Sequence, residues 1–320
     1  DDEDAAFTAI FSDLGFTDEV GWGLVGIAEG VAANTDKPVY LCQHWSRAMN
    51  SIGVQQSVDT PVVVIDGTQT FLTAVRLAMQ RRDRIDDGPG DMPALPSQAV
   101  VDQWRARLGT GEPFDENEGL DLLDAFGMTT PGRAIASSRD EALTAAEAVG
   151  YPVVLKTAMA GIQHKSDVGG VVLNLANGEA LAAAYGTMAA ELGPRVLIAA
   201  MAGKGVELAA GIVIDSQFGP LVMVAAGGVL IEIMHDRRFL LPPAGRASAR
   251  RAVDGLACRP LLDGVRGASA SNVDAVVDAV TALASIAGTL GDLIAEFDVN
   301  PLIAGPDGCV AVDALVVPRV

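Results

Sequence analysis

The segment from Tyr151 to Val171, read as YPVVLKTAMAGIQHKSDVGGV, constrains this chain more than any other. It opens with an apolar run, Pro152 to Leu155, that predicts a buried strand leading directly to Lys156. It closes on the glycine pair Gly169 and Gly170. A strand that ends in a cation and runs into a glycine-bearing loop suits polyphosphate. The lysine supplies charge, and the glycines let backbone N–H groups approach oxygen atoms.

Two further residues of the same segment, His164 and Lys165, extend this prediction. Phosphate binding does not require an imidazole, but a neutral imidazole is a nucleophile near pH 7 and can carry phosphate. The alternative is ordinary: a lysine at a solvated strand end and a glycine pair in a simple turn. Because Lys156, His164 and Lys165 all fall in this one segment, while lysines and histidines are rare elsewhere, we favour the phosphate role.

Composition limits the partners of the chain. Its 320 residues suit two domains, and a net charge of −19 without a basic stripe argues against nucleic acid. A phosphate ligand must therefore meet local positive charge or arrive with a metal ion. We expect no membrane span, because no apolar run looks long enough and the stretch 173–200 is interrupted by polar residues. The acidic start, Asp1 to Asp4, is unlike a secretion signal.

The cysteines indicate a reducing, cytoplasmic environment. Cys42, Cys258 and Cys309 are odd in number, far apart, and lack the spacing of metal ligands. We predict that they are small core residues rather than catalytic thiols.

The N-terminal part predicts a short parallel α/β unit. Apolar runs at Lys37 to Cys42 and Thr60 to Ile65 are typical of buried parallel strands. Between Gly67 and Arg82 the pattern predicts a helix that turns Phe71, Val75 and Leu77 toward the sheet. Strands at this spacing normally belong to a larger doubly wound sheet, so the unit looks incomplete. A proline- and glycine-rich stretch follows, and after it Ser97 is a candidate cap for a helix ending near Leu108.

The remainder predicts a mixture of helices and strands. A Ser138–Glu141 capping box starts the helix that precedes the phosphate segment. Further helices are predicted over Glu116–Phe126, Glu179–Leu192, Ser248–Leu256 and Val273–Leu290, and further strands over Val171–Leu175, Val196–Met201, Glu207–Ile214, Pro220–Ala226 and Val229–Met234.

Near the C-terminus an alternating strand predicts a metal site. With a side-chain period of two, Glu296, Asp298 and Asn300 share one face, while Phe297 and Val299 pack on the other.

The turn that follows fixes the partner of Asn300. If Pro306 and Asp307 are the loop residues of a hairpin, Asn300 lies opposite Asp313, with Cβ atoms about 4.5–5.5 Å apart. An amide oxygen and a carboxylate at that distance can share Mg²⁺. Two alternatives remain open: a bulge at Gly308 that slips the pairing by one residue, or a polar strand edge that simply faces solvent.

Two more carboxylates are candidates for a nucleotide site. Glu207 follows a glycine-rich connector and can accept hydrogen bonds from ribose hydroxyls, although a strand-end charge explains it equally well. Glu232 interrupts an apolar strand beside Gly227 and Gly228, so it needs a polar partner or water. His44 and His235 have no supporting neighbours.

Residues from about 116 to 320 resemble the ATP-grasp domain of NDP-forming acyl-CoA synthetases, the acetate–CoA ligase (ADP-forming) group, which are relatives of succinyl-CoA synthetase. The motifs that carry the resemblance, in order, are Gly150 to Lys156, His164 to Val171, Gly205 to Glu207, Asp215 to Pro220, Gly227–Gly228 with Glu232, and Asp298 to Leu302 with Asp313.

The resemblance implies the organisation of the chain. Residues 1–84 would be the C-terminal part of a CoA-ligase-type domain, a partial flavodoxin-like parallel α/β unit. Residues 85–115 would be a linker, and residues 116–320 an ATP-grasp domain, an α+β fold of two subdomains. We expect the missing CoA-binding domain, and most of the CoA site, in a partner subunit or another part of a longer protein.

The resemblance also implies roles. His164 would be a phosphohistidine on a mobile loop, Lys156, Lys165, Gly169 and Gly170 would bind the nucleotide phosphates, and Glu207 would bind the ribose. Asn300 and Asp313 would hold Mg²⁺, with Asp298 as a further candidate ligand. The implied reaction converts acid, CoA and ATP to acyl-CoA, ADP and phosphate, with a small carboxylic acid as substrate and an oligomer as the working form.

One departure from the family keeps two alternatives open. Where the family has an arginine after the phenylalanine of the next strand, this chain has Leu240 after Phe239, and Arg237 or Arg238 would have to substitute. This departure motivates the alternative of a non-catalytic or regulatory ATP-binding subunit. Apart from it, an ATP-grasp ligase with a different acceptor is also an open alternative.

Overall fold

The computed structural model describes residues 7–12, 19–43, 62–87, 91–159, 165–228, 236–265 and 267–319. The chain divides into two compact units, residues 1–88 and 89–320, which are described separately. Residues singled out in the sequence that lie outside the described residues include His44, His164, and the segment 229–235 with Glu232, His235 and the strand predicted there.

The first unit contains a three-stranded parallel sheet. Strands β1 (Thr8–Ser12), β2 (Val39–Gln43) and β3 (Val63–Asp66) pair in that order, with helices α1 (Glu19–Ala32) and α2 (Thr68–Asp87). The parallel pairing of β2 with β3 confirms the prediction from their apolar composition. Strand β1 was not predicted.

Aromatic packing organises this unit. Phe71 of α2 is 1% exposed, and the rings of Phe7, Phe11 and Tyr40 meet it edge-on at centroid distances of 5.4–5.9 Å. Leu77, predicted to face the sheet, is 52% exposed, so that prediction was wrong. Phe71 and the half-buried Val75 are four residues apart and share a stripe, whereas Leu77 lies about 200° around the helix from Val75.

The second unit contains two antiparallel sheets. The smaller has the order β4-β7-β5-β6, formed by Arg133–Ala136 (β4), Val153–Thr157 (β5), Val171–Leu175 (β6) and Val196–Ala200 (β7). The larger has the order β10-β9-β8-β11-β12, with β13 also paired to β11. Its strands are Val206–Asp215 (β8), Gly219–Ala226 (β9), Arg237–Leu240 (β10), Ile294–Gly305 (β11), Gly308–Ala311 (β12) and Leu315–Pro318 (β13). Strands β4, β10 and β13 were not predicted.

Each sheet of this unit has its own apolar core. The smaller packs against α5 (Arg139–Val149) and α6 (Gly178–Leu192), with Leu155, Leu181 and Ile198 fully buried. The larger packs against α9 (Val273–Leu290) and α7 (Arg246–Asp254). The described helices of this unit also include α3 (Gln98–Leu108), α4 (Glu116–Ala125) and the short α8 (Arg259–Leu262).

Helix α9 corrects the expectation that no segment is apolar enough to span a membrane. By length and composition alone, Val273–Leu293 passes that test, but 67% of it is buried within the protein. Core helices pass the same test, and here α9 packs on α7 and β9. Its Asp274 turns outward and pairs with Arg246 and Arg250. The apolar composition of α9 is therefore explained by its place in the core.

Helix starts differ from the predicted caps. At α5, Ser138 Oγ accepts from the Glu141 N–H at 3.3 Å, but the Glu141 carboxylate accepts from Ser137 N–H, so the box is only half formed. Ser97 precedes α3 without a side-chain capping bond. A complete capping box that was not predicted starts α4, where Asp115 and Glu118 exchange side-chain bonds with each other's N–H groups at 2.9 and 3.1 Å.

Replacing Asp115 with alanine is expected to lower the free energy of unfolding by about 1–2 kcal/mol, because the cap of α4 is lost. Asp115 also pairs with Arg195 at 2.7 Å. Asp115→Asn retains a good capping group and loses only that partly exposed pair, so it should cost less than about 1 kcal/mol. Chemical denaturation of both variants makes the comparison. Equal destabilisation would assign the effect to the Arg195 pair rather than to the cap.

Candidate functional site

Lys156 reaches the centre of the second unit. Every residue of β5 is buried, and the Lys156 side chain is only 8% exposed. Its Nζ lies 2.6 Å from Glu116 Oε1, 2.7 Å from the Val312 carbonyl oxygen and 3.5 Å from Asp313 Oδ2. The smaller sheet thus delivers a lysine directly to the C-terminal hairpin, beside one of the two predicted metal ligands.

The charge of this ammonium is maintained by its neighbours. Burial by itself lowers the pKa of Lys156, but the carboxylates of Glu116 and Asp313 outweigh burial, and the net pKa is raised above the ordinary value. Lys156 is therefore a fixed positive charge that an anionic ligand can use.

Lys165 joins the same cluster from a different segment. It begins a short 3₁₀ turn, Lys165–Val168, directly after His164 in the chain. Its Nζ binds Glu116 Oε2 and lies 3.9 Å from Asp313 Oδ1. The lysine-bearing segment and the hairpin therefore meet at the contact between Lys165 and Asp313.

Glu116 is the functional candidate that the sequence did not reveal. Its side chain is 2% exposed, and each of its two carboxylate oxygens contacts one lysine. An acidic residue in the first turn of a helix is ordinary, because it stabilises the helix dipole. Its lysine partners are 40 and 49 residues away, so no local pattern could identify them.

The glycine pair closes the turn rather than presenting two free N–H groups. Gly169 has φ +71°, a left-handed conformation that favours glycine. The Gly170 N–H donates to the Lys165 carbonyl at 2.7 Å, and its carbonyl accepts from Thr157 N–H at 2.8 Å. In this conformation the Gly170 N–H is bonded within its own turn rather than free to meet a phosphate oxygen. A Cβ at Gly170 would lie 2.7 Å from Thr157 Cγ2, so glycine is needed there for space.

The hairpin has the predicted register, without a bulge at Gly308. Gly305 pairs with Gly308 and Leu302 with Ala311, and on the other side of the site Asp298 pairs with Leu315. The residue pairs on the two sides of the site belong to one continuous register, and in that register Asn300 lies opposite Asp313. The Val312 N–H donates to the Pro301 carbonyl at 3.2 Å and continues the pairing between them.

The predicted faces of β11 are also confirmed. Phe297 and Val299 are buried, Glu296 and Asn300 are exposed, and Asp298 is half-buried. Across the ladder, Asp298 pairs with Gly211 of β8, which is four residues beyond Glu207 on the same face. Four residues of strand rise span about 13 Å. Glu207, Asp298 and Asn300 thus share one face of the larger sheet, called the open face here because Glu207 and Asn300 are exposed on it, with the buried Ala209 and Gly211 between them along β8.

The carboxylates of the hairpin repel one another. Burial raises the pKa of Asp298 to about 6, and the charges of Glu296 and Asp313 add to this effect. A cation between these groups would relieve the repulsion. The amide oxygen of Asn300 and the carboxylate of Asp313 are donors that suit Mg²⁺.

The number of protein ligands also fits Mg²⁺. Among the described residues, no three of the Asp, Glu, His and Cys side chains come together as a metal-binding group. Mg²⁺ usually keeps several waters and takes one or two carboxylates together with substrate phosphates, rather than an all-protein cage. Asn300 and Asp313, beside Lys156, would supply two protein ligands and leave the other positions to water and phosphate.

Glu207 lines a cavity of about 650 Å³ at the end of the larger sheet, together with Lys204, Gly227, Gly228 and Ser271. The Gly227 N–H donates to the Glu207 carbonyl at 2.9 Å. A Cβ at Gly228 would lie 2.6 Å from Glu207 Oε2, so the second glycine leaves space for this carboxylate. The paired glycines thus keep the Glu207 side chain accessible.

The register of β10 places Arg237 and Arg238, the two arginines that could substitute for the one in the family pattern, on opposite faces of the sheet. Arg237 pairs with Ala225, which pairs with Ala209, so Arg237 shares the open face with Glu207. Arg238 points to the opposite face and lies 3.6 Å from Asp236. Leu240 is buried in the core. Of the two, Arg237 is the one placed to meet a ligand on the open face.

The cysteines are confirmed as core residues. Cys42, Cys258 and Cys309 are free and buried. Burial raises the pKa of Cys258 to about 11 and that of Cys309 to about 12, so both thiols stay protonated near neutral pH and are poor nucleophiles.

Comparison with known families decides the fold assignment. The family model described as the ATP-grasp domain matches residues 107–317, about two thirds of the chain. The chain belongs to the ATP-grasp family. Its relatives place this ATP-grasp domain among those of the ADP-forming acid–CoA ligases.

Two curated relatives illustrate the likeness. The β subunit of acetate–CoA ligase (ADP-forming) I from Pyrococcus furiosus is 34% identical over 226 residues, which cover 68% of this chain and 96% of that subunit. The 4-hydroxybutyrate–CoA ligase (ADP-forming) from Nitrosopumilus maritimus is 34% identical over 278 residues, covering 80% of this chain and 39% of that protein. The second match covers a larger share of the chain than the whole second unit, residues 89–320, contains. It therefore extends from the ATP-grasp domain into the first unit.

A solved structure shows the same fold. Acetyl-coenzyme A synthetase 1 from Candidatus Korarchaeum cryptofilum is 32% identical, with a TM-score of 0.61, and the match covers 69% of this chain and 100% of that one. That structure is a complex with coenzyme A and Mg-AMPPCP, with its phosphohistidine segment pointing towards the nucleotide-binding site.

Proposed function

We propose that this chain is the ATP-grasp portion of an ADP-forming acyl-CoA synthetase and that it transfers phosphate between ATP and His164. The observation that carries the proposal is the cluster of Lys156, Lys165, Glu116 and Asp313, in which Glu116 and both lysines are largely buried. It joins the predicted phosphate segment to the predicted metal hairpin, as one triphosphate site requires.

ATP would lie along the open face of the larger sheet. Its ribose would meet Glu207 at the cavity end, and its phosphates would extend toward Lys156 and the hairpin residues Asn300 and Asp313. Arg237, on the same face, is a further candidate phosphate contact. Mg²⁺ held by Asn300 and Asp313, with Asp298 nearby, would offset the charge on the transferring phosphoryl oxygens.

The transfer would proceed by in-line displacement. A lone pair of the neutral His164 imidazole forms the N–P bond to the γ-phosphorus, while the bond from that phosphorus to the bridging oxygen of the β-phosphate breaks and ADP leaves. Lys156 supplies fixed positive charge beside the phosphates throughout. In the direction of ATP synthesis the same steps run backwards.

The remaining chemistry would belong to a partner. We propose that a CoA-binding subunit or domain binds the small carboxylic acid and CoA, and exchanges phosphate with His164 through an acyl phosphate. The relatives include both a separate β subunit and a longer single-chain ligase, so either arrangement supplies such a partner.

Incubating the chain with Mg²⁺ and γ-labelled ATP tests the proposal. We expect a covalent label that is lost in acid, as phosphohistidine is, and that returns to ATP when unlabelled ADP is added. ATP binding without any covalent label would overturn it and would support a regulatory ATP-binding subunit. If label forms but the assembled enzyme uses amines rather than CoA as acceptor, the chain is a ligase of another kind.

A further inference from the structure

Glu116 lies between the two lysines of the site. Its carboxylate is almost fully buried, with Oε1 bound to Lys156 and Oε2 bound to Lys165. Burying one carboxylate and two ammonium groups is costly unless each charge is paired. These three residues lie on α4, on β5 and in the turn 165–168. Their pairing therefore ties the three elements together.

The two lysines depend on Glu116 to different degrees. Lys156 has two other oxygen neighbours, the Val312 carbonyl at 2.7 Å and Asp313 at 3.5 Å, and it extends from a fully buried strand. Lys165 has one other carboxylate neighbour among its described contacts, Asp313 at 3.9 Å, which is beyond hydrogen-bonding distance. Removing the Glu116 charge should therefore release Lys165 while leaving Lys156 largely in place.

We propose that Glu116 is a positioning residue that holds the Lys165 ammonium beside Lys156 for phosphoryl transfer. This inference rests on the proposed function. Lys165 directly follows His164 in the chain, and its charge would assist the phosphoryl group as it moves to the imidazole. Interactions made mainly in the transition state affect the rate constant rather than substrate affinity. Glu116 thus acts through Lys165 and need not touch ATP.

The test compares Glu116→Gln with the wild type in single-turnover labelling from γ-labelled Mg·ATP. Glutamine keeps the size of the side chain but loses its charge and replaces one of the two carboxylate oxygens with an NH₂ group, which cannot accept a hydrogen bond from a lysine. We expect the labelling rate to fall about tenfold or more, as misplacement of a charged group does, while the ATP concentration for half-maximal rate changes by less than about threefold.

A double-mutant cycle separates positioning from a general structural effect. If Glu116 acts through Lys165, the Glu116→Gln/Lys165→Gln double variant is no slower than Lys165→Gln alone. Glu118→Gln is the matched control, because Glu118 lies on the same helix and pairs with Arg107 instead of a lysine. It should alter stability without changing the labelling rate.

The outcomes are distinguishable. No label on the wild-type chain would refute the proposed function itself. If the wild type is labelled, and Glu116→Gln is labelled at a rate within about twofold of the wild-type rate, the positioning role alone is overturned. Fully additive losses for Glu116→Gln and Lys165→Gln would also overturn it, because the two residues would then act independently.

Discussion

Replacing His164 with alanine is expected to reduce covalent labelling by γ-labelled Mg·ATP to background. His164 is the nucleophile of the proposed transfer, and alanine has no lone pair with which to form an N–P bond. Binding of ATP should persist, because Lys156, Glu207, Asn300 and Asp313 remain. Label is measured on the intact protein at neutral or basic pH, and nucleotide affinity is measured separately by equilibrium binding.

The chain contains its own matched controls for this experiment. It has only two other histidines, His44 and His235, and neither is assigned a role. Alanine variants of these two should label at the wild-type rate. Label that persists in His164→Ala, or that disappears in His235→Ala instead, would show that the phosphate carrier has been assigned incorrectly.

Replacing Asp313 with asparagine is expected to slow labelling by about 100-fold or more. Asp313 has two functions in the proposed site: it would ligate Mg²⁺ opposite Asn300, and it lies 3.5 and 3.9 Å from the two lysines. Loss of a charged metal ligand removes several kcal/mol of transition-state stabilisation, and each 1.36 kcal/mol is about tenfold in rate. The Mg²⁺ concentration for half-maximal labelling should rise at the same time.

Asp307→Asn is the control for this second prediction. Asp307 lies in the exposed turn of the same hairpin, between β11 and β12, and the change of charge is identical. It should leave both the rate and the Mg²⁺ dependence unchanged. If Asp313→Asn slows labelling without altering the Mg²⁺ dependence, Asp313 serves the lysines rather than the metal.

Several features of the site were predictable because they depend on local pattern. The alternation of polar and apolar residues from Glu296 to Asn300 determines which side chains share a face, and the two-residue turn at Pro306 and Asp307 determines the register. Both predictions are confirmed by the ladder. The strand that carries Lys156 was also predictable from local pattern, because it is a short apolar run bounded by turn residues.

Other features depend on packing and were missed or predicted incorrectly. Strand β10 is only four residues long and begins with two arginines, so its pattern does not indicate a strand. The hydrogen bond of the Gly170 N–H within its own turn was also not predicted. Leu77 was placed toward the sheet from its hydrophobicity, although the geometry of the helix turns it outward.

The amino-acid sequence by itself determined the order of the motifs, the alternation of the strands and the pairing of Asn300 with Asp313, because these follow from side-chain period and turn length. Only the tertiary structure decided that Glu116 joins Lys156 and Lys165, and that Arg237 rather than Arg238 shares the open face with Glu207. The physical reason is distance along the chain: a buried charge is paired by whichever element packs beside it, and no local pattern encodes that neighbour.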